Sequence, residues 1–178
     1  MSEVDRRSAL AAMAAMAAGP ALAQTAAPSA VPRAAKAITP LKDLRKEADV
    51  ACLYHCDFGD PARFSQMLTN IGNHFDAYGA DPFAIQLAIV AHGPGLKFFL
   101  SSLEETQWRD EVTVPQIFPR VEALMRSGLR IYLCNVTFER QKIDRALARP
   151  AERIEITPSG VATVADLQTK GFAYIKIG

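Results

Sequence analysis

VACLYHCDFGD, at residues 50–60, decides how this chain folds, because two later stretches repeat its plan of an apolar run that ends in reactive side chains. They are IQLAIVAHGPG at residues 85–95 and LRIYLCNVT at residues 129–137. Each run precedes a helical pattern, which is typical of βαβ units with parallel strands. Ligands bind outside the carboxyl ends of such strands. The sequence therefore predicts one crevice lined by strand-end residues, which are His55, Cys56, Asp57, His92 and Cys134.

Strand and helix patterns alternate along the rest of the chain. The strands are predicted at about residues 49–56, 84–91, 129–134, 153–157 and 172–177. The helices are predicted at about residues 61–77, 96–102, 116–126, 138–147 and 160–170. This order implies a single α/β domain of three layers, α/β/α, with a mostly parallel five-stranded sheet and right-handed crossovers. An irregular stretch at 104–115 carries Trp108 and is long enough to be a lid or an oligomer contact.

The first 23 residues, MSEVDRRSALAAMAAMAAGPALA, look like a twin-arginine export signal. Adjacent Arg6 and Arg7 precede a mildly apolar stretch, and Ala21 and Ala23 supply the small residues of a cleavage site. The stretch is too short and too weakly apolar for a convincing membrane span, which favours cleavage, with an uncleaved anchor as the alternative. We therefore expect a periplasmic protein with no membrane attachment after signal cleavage.

The remaining chain is predicted to be a linker followed by one domain. Residues 24–48 contain three prolines, few large apolar residues and no sustained period, which is typical of a flexible linker. Residues 49–178 are long enough for one domain with a buried core. The net charge is +1 and no basic cluster stands out, so no nucleic acid is expected as a partner.

Four stretches together resemble the DsrE/DsrF-like family, in its branch of small exported members. They are CLYHCDFGDPARFSQMLTNIGNHFDAYG, IVAHGPGLKFFL, GLRIYLCNVTFERQKI and ITPSGVATVADLQTKGFAYIKI. The resemblance implies a five-stranded α/β fold, a homo-oligomer and, in the sulfur-relay members, a cysteine that carries sulfur as a persulfide. The matching position here is Cys134. The partners implied are small sulfur species or a sulfur-carrier protein. The apolar stretch Phe98–Leu100 offers a further reason to expect a homo-oligomer.

Cys134 is also the strongest candidate on residue chemistry alone. It ends a buried strand just before a helix, whose dipole would favour the thiolate that a nucleophile needs. The alternative is a small apolar filler, because free cysteines are commonly buried. Cys52 is predicted to lie in the core. Cys56 and Cys134 would approach closely enough for a disulfide or redox pair if strands 1 and 3 were neighbours.

His55 and His92 are the other catalytic candidates, as groups that tune the protonation of Cys134. With Cys56 they also form a donor set of the kind that transition metals bind, although the spacing is not a known metal signature. The structural alternative is that both histidines cap the sheet and bond neighbouring carbonyls. His74, near the end of a helix, is expected to be structural.

Three further residues are candidates for holding a small anion such as sulfite, thiosulfate or a persulfide. Gly93 and Gly95 flank Pro94 in the AHGPG turn, and glycines let backbone amides converge on an oxyanion. Asn135, directly after Cys134, is the third candidate.

Two functions remain open from the sequence. The first is a periplasmic sulfur-handling protein that carries or transfers sulfane sulfur as a persulfide on Cys134, either as a carrier or as a sulfurtransferase. The second is a non-catalytic binding module that holds a metal ion, haem or a small anion in the strand-end crevice. No cofactor is certain, and the sulfur donor and acceptor stay open.

The export signal gives a prediction about the mature protein. Its first residue should be Gln24, because cleavage follows the small residue Ala23. Intact-mass analysis of protein from the periplasm checks this. Protein that retains residues 1–23 there would contradict cleavage and support the membrane-anchored alternative.

Overall fold

The computed structural model of the chain describes residues 34–79, 81, 83–111 and 114–178. These residues belong to one compact unit, Arg33–Gly178. The signal peptide predicted for residues 1–23 lies outside the described residues. Within them, no helix has the length and apolar character needed to cross a bilayer.

Five apolar runs pair as the strands of one parallel sheet, in the order β4-β3-β2-β1-β5. The strands are β1 (Val50–Cys56), β2 (Ile85–Ala91), β3 (Arg130–Cys134), β4 (Ile154–Thr157) and β5 (Ala173–Lys176). Helices cover both faces of the sheet, so the predicted three-layer α/β fold class is confirmed. The sheet is wholly parallel, where the sequence predicts a mostly parallel one.

Within the described residues, four α-helices alternate with the strands. They are α1 (Pro61–Ala77), α2 (Val114–Arg126), α3 (Asn135–Arg140) and α4 (Gly160–Thr169), and 3-10 helices occupy Leu41–Asp43, Gly93–Phe99 and Arg145–Leu147. Helix α1 begins where the sequence predicts, because the carboxylate of Asp60 accepts hydrogen bonds from the amides of Ala62 and Arg63. Gly79, with a φ of 65°, then lets the chain leave the helix.

Successive residues of a strand point to opposite faces of the sheet, and the core is divided accordingly. The larger cluster lies on the face that α1 and α2 cover, and it takes Cys52, Tyr54 and Cys56 from β1. The smaller cluster lies under α4 and takes Ala51 and Leu53. We call these sides the α1/α2 face and the α4 face. The odd-numbered residues of β1 therefore point towards α4.

The helix predicted over 138–147 has the wrong bounds. Helix α3 begins at Asn135, directly after β3, and ends at Arg140. Lys142 has a φ of 55°, in the left-handed region, and a residue in that conformation stops a right-handed helix. The 3-10 helix Arg145–Leu147 follows instead. The helix predicted over 96–102 likewise begins earlier, as a 3-10 helix at Gly93.

The linker predicted over 24–48 ends too late. In its described part, Leu44 is buried in the cluster under α4, and Ile38 forms a parallel bridge with Ile156 of β4. The ammonium group of Lys36 donates to the carbonyl oxygens of Ala151 and Ile154. Residues 34–48 are therefore part of the packed domain, through the core at Leu44 and along β4 at Ile38 and Lys36.

The apolar stretch Phe98–Leu100, expected at a contact between subunits, belongs to the core. Phe98 stacks on Phe64 of α1 with ring centroids 3.9 Å apart, and all three residues of the stretch are buried. The irregular stretch predicted as a lid packs down as well, since Trp108 is buried and Glu111 pairs with the buried Lys97. This stretch therefore gives no support to a subunit contact.

The close contact at Gly95 gives a stability prediction. A Cβ atom there would lie 2.8 Å from Sγ of Cys56 and still closer to its carbonyl oxygen, so Gly95→Ala should lower the free energy of unfolding by about 3 kcal/mol. Gly72→Ala, inside α1, is the matched control, because the added Cβ would lie 3.9 Å from the side chain of Leu124 on α2. That change should raise stability by about 0.5–1 kcal/mol. Urea unfolding measures both, and equal effects would contradict the packing described.

Candidate functional site

The carboxyl ends of β1, β2 and β3 lie side by side, because β2 pairs with both of the other strands. His55 lies on β1, His92 directly follows β2, and Cys134 ends β3. Gly160, the first residue of α4, packs against His92 and Cys134, so the side chains of both lie on the α4 face. The side chain of His55, an odd-numbered residue of β1, points to the same face. The structure therefore brings the three predicted catalytic candidates together at one edge of the sheet.

His55 is the centre of a chain of three hydrogen-bonded rings. Its Nε2 lies 2.7 Å from Nε2 of His92, and its Nδ1 lies 2.8 Å from the hydroxyl oxygen of Tyr174. Strand β5 supplies Tyr174 and pairs with β1 on the side opposite β2. The chain therefore runs across three adjacent strands, from the half-buried His92 to the edge of the sheet.

The hydrogen bonds of this chain have two consistent directions. A neutral imidazole has one donor nitrogen and one acceptor nitrogen, so the two bonds of His55 must point the same way along the chain. When Tyr174 donates to His55, and His55 donates to His92, the proton of His92 is on Nδ1. In the reverse direction Nε2 of His92 donates, and Nδ1 of His92 is left as an unprotonated acceptor. Only the reverse direction makes His92 a base at Nδ1.

Burial keeps the two histidines neutral. It lowers the pKa of both His55 and His92, because the charged imidazolium loses solvation. The carboxylate of Asp57 opposes this shift at both rings, while Lys176 reinforces it at His55. Burial also raises the pKa of Tyr174, with help from Asp57, so the phenol stays protonated. The hydrogen-bonded set of Tyr174, His55 and His92 is therefore neutral at pH 7 and can share one additional proton.

Cys134 lies at the wall of a pocket of 440 Å³. The residue is 5% exposed, and it lines this pocket. A Cβ atom at Gly160 would lie 2.8 Å from Cβ of His92 and 3.1 Å from Cβ of Cys134. The absence of a side chain at Gly160 thus lets α4 begin in the gap between the histidine and the cysteine.

The remaining pocket residues come from the start of the 3-10 helix Gly93–Phe99, from α3 and the residue after it, and from the start of α4. They are Gly93, Val136, Thr137, Arg140, Gln141, Ser159 and Val161. Helix α3 follows β3 without a loop, which places Thr137 and Arg140 beside Cys134. Ser159 caps α4 by accepting a hydrogen bond from the amide of Ala162. Val161 is 66% exposed and forms part of the rim.

Cys56 does not belong to this site. It points to the α1/α2 face, is fully buried beneath Gly95, and burial raises the pKa of its thiol. Strand β2 separates β1 from β3 by two strand spacings, about 10 Å, which exceeds the limit of about 7 Å between disulfide-bonded Cα atoms. The disulfide considered between Cys56 and Cys134 is therefore wrong, and all three cysteines are free. The prediction that Cys52 is a core residue is confirmed.

The metal site considered from the sequence is not assembled. His55 and His92 meet, but Cys56 faces the opposite side of the sheet. Within residues 34–79, 81, 83–111 and 114–178, no group of three histidine, cysteine or acidic side chains is arranged to hold a metal ion. The two imidazoles bond to each other instead.

The small-anion site predicted in the AHGPG turn lacks free donors. The amide of Gly93 donates to Oγ1 of Thr137 at 3.0 Å, and the amide of Gly95 donates to the carbonyl oxygen of His92 at 3.1 Å. Asn135 uses its amide nitrogen on Glu139 at 2.7 Å. Both backbone amides are therefore satisfied within the protein, whereas the buried Oδ1 of Asn135 has no hydrogen-bond partner among the described residues.

Several residues of the site were not predicted from the sequence, including Tyr174, Gly160, Ser159, Arg140, Thr137 and Gln141. Placing Tyr174 beside His55 requires the strand order, which spacing along the chain does not give. Ser159 and Gly160 do carry a signal, because they stand between a predicted strand and a predicted helix, the same position that the other site residues occupy. His74 is structural as expected, since its Nδ1 lies 2.9 Å from the hydroxyl oxygen of Tyr54.

Comparisons with known proteins agree with this architecture. The sequence model of the DsrE/DsrF-like family matches residues 11–177. A similar solved structure is that of MTH1491, a protein of unknown function from Methanobacterium thermoautotrophicum, with a TM-score of 0.56 and 21% identity. The alignment covers 72% of this chain and 99% of that one, and at this identity it supports the fold alone. No curated protein matches the chain significantly.

The lowered pKa values give a prediction about pH and stability. Below about pH 6.5 the unfolded chain takes up protons that the buried histidines do not, so stability should fall as the pH falls from about 6.5 through the lowered pKa values. The double variant His55→Gln, His92→Gln should show a shallower fall. Urea unfolding at several pH values between about 7.5 and 5.5 measures the slope. His74 is present in both proteins, so an unchanged slope would contradict the assignment to this pair.

Proposed function

The chain belongs to the DsrE/DsrF-like family, which is associated with sulfur relay, and from this premise we propose that it receives and passes on sulfane sulfur as a persulfide on Cys134. The observation that carries the proposal is the position of this thiol. Cys134 lies at a pocket wall beside a histidine pair, whereas Cys52 and Cys56 are packed into the core on the other face of the sheet. A sulfur-carrying thiol needs access to a donor and an acceptor, and among the cysteines only Cys134 lines a described pocket.

Loading requires one bond to form and one to break. The thiolate of Cys134 attacks the sulfane sulfur of a donor, a new S–S bond forms, and the donor's leaving group departs with the electron pair of the broken bond. An acceptor thiolate then attacks the outer sulfur of the persulfide and releases the thiolate of Cys134. The cycle transfers one sulfur atom and needs no external oxidant or reductant.

His92 is the proposed acceptor of the thiol proton. Its Cβ and Cδ2 atoms and the Cβ of Cys134 border the same residue, Gly160, and burial keeps the imidazole neutral at pH 7. Nδ1 of His92 is free to accept when Nε2 donates to His55, which requires His55 to donate to Tyr174. Tyr174 and His55 are thus positioning residues in this proposal, because His92 is a base at Nδ1 only while His55 donates to Tyr174.

The competing hypothesis from the sequence is a module that binds a metal, haem or a small anion, and its metal and haem versions gain no supporting observation within the described residues. The histidines that would bind a metal are hydrogen-bonded to each other, and the cysteine that would join them lies on the opposite face. Sulfur handling accounts for the pocket, the thiol and the histidine pair together.

Two further parts of the proposal concern location and assembly. The twin-arginine pattern supports a periplasmic location, since it precedes a small-residue cleavage site. The family resemblance supports a homo-oligomer. The partners proposed are small sulfur species and a sulfur-carrier protein.

Sulfur loading tests the proposed function. Incubation with polysulfide should add the mass of one or more sulfur atoms, and peptide mass spectrometry should place it on Cys134. Cys134→Ser should abolish the addition with little loss of stability, because Ser is nearly isosteric with Cys. Cys52→Ser is the matched control, since that thiol is equally buried but lines no described pocket, and loading on Cys134 should persist in it.

Two results would contradict the proposal. Addition of sulfur to Cys56 with Cys134 unmodified would move the chemistry to the other face of the sheet. Absence of sulfur on any cysteine of the folded protein would exclude the persulfide mechanism.

A further inference from the structure

The pocket beside Cys134 is rich in hydrogen-bond donors and contains no carboxylate among its lining residues. Its charged side chain is the guanidinium of Arg140, its hydroxyl groups belong to Thr137 and Ser159, and Gln141 contributes an amide. A cavity with one cation, several donors and no anion favours a negatively charged ligand.

Arg140 is available to such a ligand. It is exposed on the last turn of α3, and within the part of the chain that the structure describes its side chain makes no hydrogen bond and no ion pair. The left-handed turn at Lys142 ends the helix directly after the pocket residues, so the backbone of Arg140 is held beside the pocket. Arginine binds planar or trigonal groups of oxygens by two parallel hydrogen bonds, which suits carboxylates, phosphates and sulfonates.

The hydroxyl groups of Thr137 and Ser159 are both free to donate a hydrogen bond. Oγ1 of Thr137 accepts from the amide of Gly93, and Oγ of Ser159 accepts from the amide of Ala162 at 3.4 Å. Neither hydroxyl donates to another described group, so each proton can be given to a ligand. Thr137 is 7% exposed, and a buried donor of this kind gains from an acceptor inside the pocket.

The amide of Gln141 is a further reason to expect an anion in the pocket. Its Oε1 is buried and has no hydrogen-bond partner among the described residues. A half-turn of the amide exchanges its oxygen and nitrogen and presents an N–H group at that position. An anion in the pocket would then satisfy a polar group that is otherwise unpaired.

We propose, resting on the proposed function, that the sulfur donor is a small thiosulfonate anion of the thiosulfate type, held by Arg140, Thr137 and Ser159 through its sulfonate oxygens. Its outer sulfur faces Cys134. The size of the donor follows from access, because Cys134 is 5% exposed and the pocket of 440 Å³ suits a small molecule. A thiol on a folded partner protein fits this recess less well.

The reaction balances without another reagent. The thiolate of Cys134 attacks the outer sulfur of thiosulfate, the bond between the two sulfur atoms of thiosulfate breaks, and sulfite leaves with the electron pair. Negative charge moves from the attacking sulfur to the sulfonate group as the bond breaks. Donors already directed at those oxygens stabilise the transition state more than the bound donor, which is how such groups accelerate a reaction.

Arg140→Gln tests the inference, with thiosulfate as the sulfur donor and mass spectrometry of Cys134 as the readout. The substitution should slow loading by about tenfold or more, the usual loss for a hydrogen-bonded charge pair. Arg153→Gln is the matched control. Arg153 is also an exposed arginine without an ion pair among the described residues, and it precedes β4, at the amino end of the strands, whereas the site lies at their carboxyl ends. This control should load at the rate of the unmodified protein.

A second measurement separates charge from reactivity. Iodoacetate and iodoacetamide both alkylate thiolates by nucleophilic substitution, but iodoacetate carries one negative charge and iodoacetamide is neutral. Arg140→Gln should slow alkylation of Cys134 by iodoacetate and leave alkylation by iodoacetamide unchanged. Equal slowing of both reagents would show that the substitution altered the thiol itself and would overturn the assignment of Arg140.

The outcomes distinguish this inference from the proposal beneath it. If polysulfide loads Cys134 but thiosulfate does not, or if thiosulfate loads it equally fast in Arg140→Gln, the thiosulfonate assignment is wrong and the persulfide proposal stands. If neither donor loads Cys134, the persulfide proposal itself fails.

Discussion

Parallel pairing of β2 with β1 on one side and β3 on the other is the constraint on which the site depends. It aligns three strand ends at one edge of the sheet, and the period of two along each strand decides which face each side chain takes. His55 and Cys56 are adjacent in sequence, yet the first joins the histidine pair and the second is sealed in the core. A shift of one residue in the register of β1 would exchange them.

Two glycines complete the arrangement by admitting close contacts that a side chain would prevent. Gly95 lies against the backbone of Cys56 on the α1/α2 face, and Gly160 lies between His92 and Cys134 on the α4 face. Each stands where the backbone after one strand packs against a residue at the end of another. The sheet edge is therefore held tightly from both sides, which fixes the site residues relative to one another.

The sequence was sufficient for the elements whose signals are local. The apolar runs located the strands, and Asp60 before Pro61 located the start of α1. The end of helix α3 was misplaced because Lys142 adopts a left-handed conformation that lysine rarely takes, so no composition rule marks it. The candidate site was predicted in part, since strand ends identify His55, His92 and Cys134. Tyr174 and the separation of Cys56 from Cys134 depend on strand order, which is a property of the whole sheet.

The recessed position of Cys134 affects which molecules can react with it before and after it carries sulfur. An S–S bond is about 2 Å long, so a persulfide places its outer sulfur that much nearer to the pocket mouth than the bare thiol. If Cys134 carries sulfur as proposed, small reactants reach the unloaded thiol, whereas the loaded site presents its outer sulfur to larger ones. A thiol on another protein would meet the delivered sulfur more readily than the buried atom that carries it, and this difference in reach gives the exchange a built-in order.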